Sequence, residues 1–433
     1  MKRIKHISSR WLDFFKFRLF SYFLHRSPST VHHTPITVLL LFLSLTLSLP
    51  ADDFFAVKDR IIADSSFKLG PLYFTPMLML NNIGYTSSIY TYDAKEIPDW
   101  TGDLGLGLRA SAVVANRLIL QTEDLPHYSY YLENKNLRAW SNQFQAAAYS
   151  YVGPINLKAG YARSDLRQRP HLEFSRPYRY ADSEWSIETD IGRRTNLFLT
   201  AYVAFEELAY DEDPYLGSYN LAERLNHRQN TFGLRLNRRV FTSTLIFLNY
   251  EMSDYVFASS SERDTRAQTL GLGVEFPEIG VLQGSFRIGL SRFDPKNPLF
   301  QRSQNLSGRG DVRITLFERL RFNLFYALGT NFSYGANELF YKNQSLGGGA
   351  EIYLTRFLKG GASYSDGHLK YHSFLDLELQ RSDRLRLQRF YLAVPFLSNT
   401  SLGFAYTIYR LSSDVLDLDY TRKFWGGFIS YEF

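Results

Sequence analysis

Apolar and polar residues alternate with period two along most of this chain. Leu104, Leu106, Leu108, Ala110, Ala112 and Val114 are interleaved with Gly105, Gly107, Arg109 and Ser111. The same beat runs through Ile155–Tyr161, Trp185–Ile191, Phe232–Leu236, Leu270–Phe276, Phe286–Leu290, Val312–Leu316, Leu320–Leu328 and Leu402–Ile408. Successive side chains of a strand point to opposite faces, so each run is a strand with one apolar and one polar face. Alternation repeated this often excludes a helical protein.

Turn signals divide the runs. They fall near Asn116, Gly153-Pro154, Arg193, Arg238-Arg239, Pro277, Glu318, Thr355 and Ser398-Asn399, about 40 residues apart. Longer polar links lie between them, at 84–98, 132–138, 167–179, 209–221, 256–263, 294–303, 334–339, 372–382 and 412–420. A membrane strand needs roughly 10 residues, so each unit holds two long strands and one longer loop. The pattern predicts eighteen strands, the first over 71–83, the eighth over 222–238 and the last over 421–433. Short turns at one end and longer links at the other predict an all-β transmembrane antiparallel up-and-down barrel of 16–18 strands. A propeller also repeats at about 40 residues, but its blades carry four short strands.

The two ends refine this. Residues 36–49 form an apolar run behind basic residues, with Ser48-Leu-Pro-Ala51 after it. That is the layout of a secretory signal, so 1–51 is expected to be a targeting segment. Residues 52–70 read as a short periplasmic lead-in with one helical turn near Phe55–Ile62, and 71–433 as the barrel. The final run places Trp425, Ile429, Tyr431 and Phe433 on one face, and a terminal Phe of this kind resembles the signal that barrel-assembly machinery reads. The last strand is expected to pair with the first, which removes both edges.

Composition adds little but excludes much. There are 30 Tyr and 35 Phe, yet mean hydropathy is −0.24. Girdle aromatics over a polar lumen face produce that combination. The chain contains no Cys, so disulfides and thiolate chemistry are ruled out. Its net charge of +6 sits in residues 1–51, leaving the rest balanced, so nucleic acid is not an expected partner. No phosphate loop, dinucleotide fingerprint or metal-ligand spacing is present, and no cofactor is expected.

Candidate functional residues are those on the polar face of the strands. Arg109, Lys158, Glu188, Asp190, Arg235, Glu275, Arg287, Arg313, Arg321, Glu351 and Lys359 should line the lumen. Basic residues slightly outnumber acidic ones in that set, which predicts a weak preference for anions. Links 84–98 and 167–179 are the candidates to fold inward and narrow the bore. The second mixes Arg with aromatics and could meet sugars or lipopolysaccharide phosphates. His368 and His372 stand near Ser363, Ser365 and Asp366, but no nucleophile elbow occurs, and an enzyme is not expected.

The segments Leu69-Gly-Pro-Leu-Tyr-Phe-Thr-Pro76, Asn82–Tyr90, Leu225–Asn237 and Leu387–Phe433 resemble a bacterial outer-membrane family of β-barrel porins. The resemblance covers roughly 70–433 and lies in strand patterns rather than site residues. It implies an exported outer-membrane barrel in contact with lipid and lipopolysaccharide. It further implies passage of small hydrophilic solutes or, as the alternative, a wall component in surface-polysaccharide export.

Overall fold

The computed structural model describes residues 54–89, 97–114, 117–152, 155–168, 178–192, 196–211, 215–216, 219–240, 244–279, 281–317, 319–333, 338–355, 357–373, 381–397, 400–415 and 419–432. The targeting segment 1–51, the Gly153-Pro154 turn, most of links 167–179 and 372–382, and Phe433 lie outside them.

Eighteen long strands follow one another in the wall: β1 Leu72–Thr86, β2 Asp99–Val114, β3 in two segments (Leu118–Asp124 and His127–Tyr131), β4 Ala139–Val152, β5 Ile155–Gln168 and β6 Tyr178–Ile191. Then come β7 Leu197–Tyr210, β8 His227–Val240, β9 Thr244–Phe257, β10 Thr265–Ile279, β11 Leu282–Pro295 and β12 Ser303–Leu316. The wall ends with β13 Leu320–Phe332, β14 Glu338–Thr355, β15 Leu358–Ser373, β16 Ser382–Leu397, β17 Thr400–Ser413 and β18 Tyr420–Glu432. Each strand pairs antiparallel with the next, and β18 pairs back to β1 through Leu80↔Ile429 and Tyr85↔Trp425. The sheet is therefore a closed barrel, as the alternation predicted, and no edge remains to template aggregation.

Three features depart from the expectation. The lead-in is a full helix, α1, Phe54–Asp64, longer than the single turn predicted. Residues 222–225, assigned to the eighth strand, belong instead to a second helix, α2, Leu221–Leu225. Asn220 caps it, accepting a hydrogen bond from the Ala222 amide at 3.0 Å, and a capped Leu-Ala-Glu-Arg-Leu turn outcompetes strand there. Finally, β1 carries a bulge at Asn81-Asn82, where Leu80↔Ile429 steps to Ile83↔Gly427.

The bulge inverts the faces of β1. Before it, Tyr73, Thr75 and Met77 are buried; after it, Ile83 is exposed and Thr86 is buried. Asn82 has φ 54°, a left-handed value that Asn tolerates. Its carbonyl accepts from Thr101 Oγ1 at 3.0 Å, and its side-chain amide donates to Asp103. Beyond the bulge the closing strands approach closely. A Cβ on Gly84 would stand 2.2 Å from the Trp425 carbonyl oxygen and 2.4 Å from Gly426 Cα. Both are backbone atoms and cannot swing away. Tyr85 stacks on Trp425 across this seam at 4.8 Å, with Trp100 edge-on to Tyr85 at 5.9 Å.

Gly84→Ala should prevent closure of the seam, whereas Gly102→Ala, whose Cβ would meet only the Ile83 side chain at 3.9 Å, should not. Heat-modifiable mobility on gels reads the folded fraction. A drop in folded barrel is expected for the first variant and none for the second.

Candidate functional site

The faces of the wall are inverted relative to a water-soluble protein. Leu106, Leu270, Leu272, Leu290, Leu346, Phe390 and Phe404 are exposed on the outside, while Glu184, Glu206, Glu351, Lys359 and Arg389 are buried on the inside. Apolar side chains turned outward over a closed, hydrogen-bonded wall are stable only in hydrocarbon. The chain is a transmembrane β-barrel. Its even strand number places β1 and β18 at the same end as the short turns, the arrangement of outer-membrane barrels, and that membrane is its location.

The eleven candidate residues lie on the less exposed face of their strands, each alternating with an outward apolar or aromatic neighbour. Most are held in local pairs, while Arg287 stands directly opposite Arg309. Arg109 meets Glu123 at 2.8 Å and Arg235 meets Glu275 at 2.9 Å. Glu351 gathers Arg321 at 3.4 Å and Lys359 at 3.9 Å and also accepts from the Tyr391 hydroxyl. Arg321 donates further to Tyr353 at 2.7 Å, and Arg313 donates to Asn323 at 2.9 Å. Asp190 accepts from Thr200 at 2.6 Å, and Lys158 stands opposite Glu188 in register.

Several inward charges were missed. Arg309 continues the Arg287 and Arg313 face and was legible from alternation alone. Arg389 was not, because Arg384-Leu-Arg-Leu-Gln-Arg-Phe places polar groups on both faces. On the acidic side, Glu123, Asp182, Glu206, Glu251 and Asp311 join the set. These additions remove the basis for a weak anion preference. The charge is instead segregated by arc. Strands β6 to β9 present Asp182, Glu184, Glu188, Asp190, Glu206 and Glu251 against the single base Arg235 of the set, and strands β11 to β16 present Arg287, Arg309, Arg313, Arg321, Lys359 and Arg389 against Asp311 and Glu351. The lumen therefore carries a field across its bore rather than one net sign.

Aromatic rings tile the same surface. Tyr202, Phe247, Phe325, Tyr391 and Phe428 each sit over a glycine directly opposite on the next strand: Gly233, Gly273, Gly347, Gly361 and Gly403. The missing Cβ lets the ring lie against the wall instead of projecting into the bore. Tyr202 thereby reaches across Gly233 to donate to Glu251 at 2.6 Å.

Both mouths are lined by packed side chains. At the short-turn end, Phe54 and Ile61 of α1 pack on inward Tyr73 and Ile119, with Tyr149 and Tyr151 beside them. At the other end, Leu221 and Leu225 of α2 pack on inward Tyr180, Leu208 and Tyr210. α2 thus covers this mouth from a link that sequence reasoning did not select. Link 84–98 contributes Ile89 and Ile97 against Tyr131 and Leu137. The hydroxyls of Ser363 and Ser365 share the inner face with Gly361, whereas Asp366 and His368 alternate onto the outer one, so these groups do not converge.

No family model matches this chain, and no curated protein does. Solved structures do. OccAB3 of Acinetobacter baumannii is 10% identical with TM-score 0.46, over 83% of this chain and 98% of that one. OpdK of Pseudomonas aeruginosa, solved with vanillate, is 12% identical with TM-score 0.48, over 84% and 99%. The siderophore receptor PirA of Pseudomonas aeruginosa is 11% identical with TM-score 0.43, over 85% and 81%. At these values the barrel assignment rests on the chain's own strand pairing, and nothing about a solute transfers.

Gly233→Val should push the Tyr202 ring off the wall and break its hydrogen bond to Glu251. A shift in Tyr202 environment by ultraviolet resonance Raman is expected with the barrel still folded. An unchanged tyrosine signature would show that the ring does not depend on the glycine.

Proposed function

We propose that this barrel is a passive channel for small hydrophilic solutes. The observation that carries the reading is the inner face itself: a polar and charged surface, interspersed with aromatic rings, enclosed by eighteen strands. Eighteen strands enclose more space than wall side chains alone fill, and the paired Arg, Lys, Glu and Asp groups supply water-like partners along it. With acids on one arc and bases on the next, the channel passes both ion signs comparably and favours solutes that carry donors and acceptors together.

The lead-in helix belongs to this reading. An isolated helix of 11 residues is marginal in water, so α1 is held by its packing in the mouth. It acts as a constriction at the periplasmic end. Export through the periplasm on the 1–51 segment and recognition of the β18 terminus, including Phe433, by assembly machinery complete the proposed route. Nothing in the described residues favours the alternative of a wall component in polysaccharide export.

Planar-bilayer recording of the purified full chain tests the reading. Steady unitary steps with a reversal potential near zero in a salt gradient are expected. Phe54→Ala with Ile61→Ala should raise the step size, because each truncation costs about 2–5 kcal/mol of packing and unseats α1. A folded but electrically silent barrel, in both forms, would refute the channel.

A further inference from the structure

On the outer wall, charged side chains near the long-link end mostly occur as opposite-sign pairs. Arg163 meets Asp165 at 3.0 Å, Arg228 meets Glu207 at 3.2 Å and Arg266 meets Asp254 at 2.9 Å. Arg167 and Arg179 also stand opposite each other, on β5 and β6, but Asp211 lies 3.6 Å from Arg179. One sector carries a larger excess of bases. Across β15 to β18 the outward positions just beyond the apolar band hold Lys370, Arg384, Arg386, Arg410 and Lys423, with Asp366 among them and Asp414 and Asp419 further out at the link. Asp366 is already engaged, taking a forked pair from Arg384 at 3.0 and 2.6 Å and lying 3.9 Å from Arg386.

The decisive feature is a like-charge pair. Arg386 and Arg410 stand directly opposite each other on β16 and β17. Directly opposed residues of an antiparallel pair have Cβ atoms about 5 Å apart, and like charges there repel. Such a pair is stabilised by an anion placed between the two guanidiniums, which offer forked donors suited to phosphate oxygens. The site faces lipid and not the lumen. Its height is set by the strand: Phe390 lies four residues below Arg386, about 13 Å along β16. Phe390, Leu392, Leu402 and Phe404, all exposed, continue the surface downward. A ligand matching both parts carries phosphate at headgroup level and acyl chains below it.

We infer that this sector binds the phosphorylated headgroup of an outer-leaflet glycolipid, with Arg384, Arg386 and Arg410 gripping the phosphate. The inference rests on the outer-membrane placement and is independent of whether the lumen conducts.

Native mass spectrometry of the full chain, folded in detergent, tests it with three probes: diphosphorylated lipid A, the same lipid without phosphates, and inorganic phosphate. Wild type should retain the diphosphorylated lipid and release the dephosphorylated one. Arg384→Gln, Arg386→Gln and Arg410→Gln together should weaken retention at least about tenfold, the loss of one or more charge-assisted contacts. Arg163→Gln, Arg228→Gln and Arg266→Gln remove equal charge elsewhere and should leave retention unchanged. Gel mobility before and after heating confirms folding, and Arg410→Gln alone serves if the triple variant does not fold. Equal loss in both triple variants, equal retention of the dephosphorylated lipid, or displacement by inorganic phosphate would each overturn the assignment.

Discussion

Inside hydrocarbon a backbone amide or carbonyl without a partner costs several kcal/mol, and water is not there to supply one. Everything else in this structure follows from meeting that demand. Each strand borrows its partners from two neighbours, so the sheet has to close, and closure falls on β1 and β18. The seam departs from a regular ladder. It needs the extra residue at Asn81-Asn82, the left-handed Asn82 and a glycine where two backbones nearly touch. The stacked Tyr85 and Trp425 cover the same junction on the lipid side.

Closure then divides the side chains into two populations with different energetics. Outward Leu, Ile and Phe remain exposed because lipid is their solvent. Inward charges are crowded, and they are tolerated because most are placed against an opposite charge or a hydroxyl. The aromatic rings over glycines belong to this packing. They thicken the wall without filling the bore, and they set the orientation of groups such as Glu251 that face the lumen. The helix at one mouth and the folded link at the other act on a lumen whose walls are already fixed.

How much of this was legible follows from where period-two alternation is clean. Strands such as Leu104–Val114 and Leu270–Phe276 announce both their extent and their faces, so Arg109 and Glu275 could be placed inside from sequence. Alternation fails where a local rule overrides it. The Asn81-Asn82 bulge shifts the register of faces without changing composition. Asn220 caps a helix in a stretch whose apolar content resembles strand. In Arg384–Phe390 polar residues occupy both faces, so Arg389 inside and Arg386 outside look alike in one dimension. The charge segregation of the lumen is not legible in sequence for a related reason: it depends on which strands are neighbours and on which face acids such as Glu206 and Glu251 take.

The inside-out division of faces is the claim on which the rest stands. Because the chain contains no cysteine, it can be tested one residue at a time. Single cysteines at Leu270, Gly271, Leu272 and Gly273, labelled in proteoliposomes with a fluorophore, can be challenged with a lipid-soluble and a water-soluble quencher. The account predicts strict alternation, with positions 270 and 272 quenched from the lipid and 271 and 273 from water. Uniform quenching by one agent, or the reverse assignment, would contradict it.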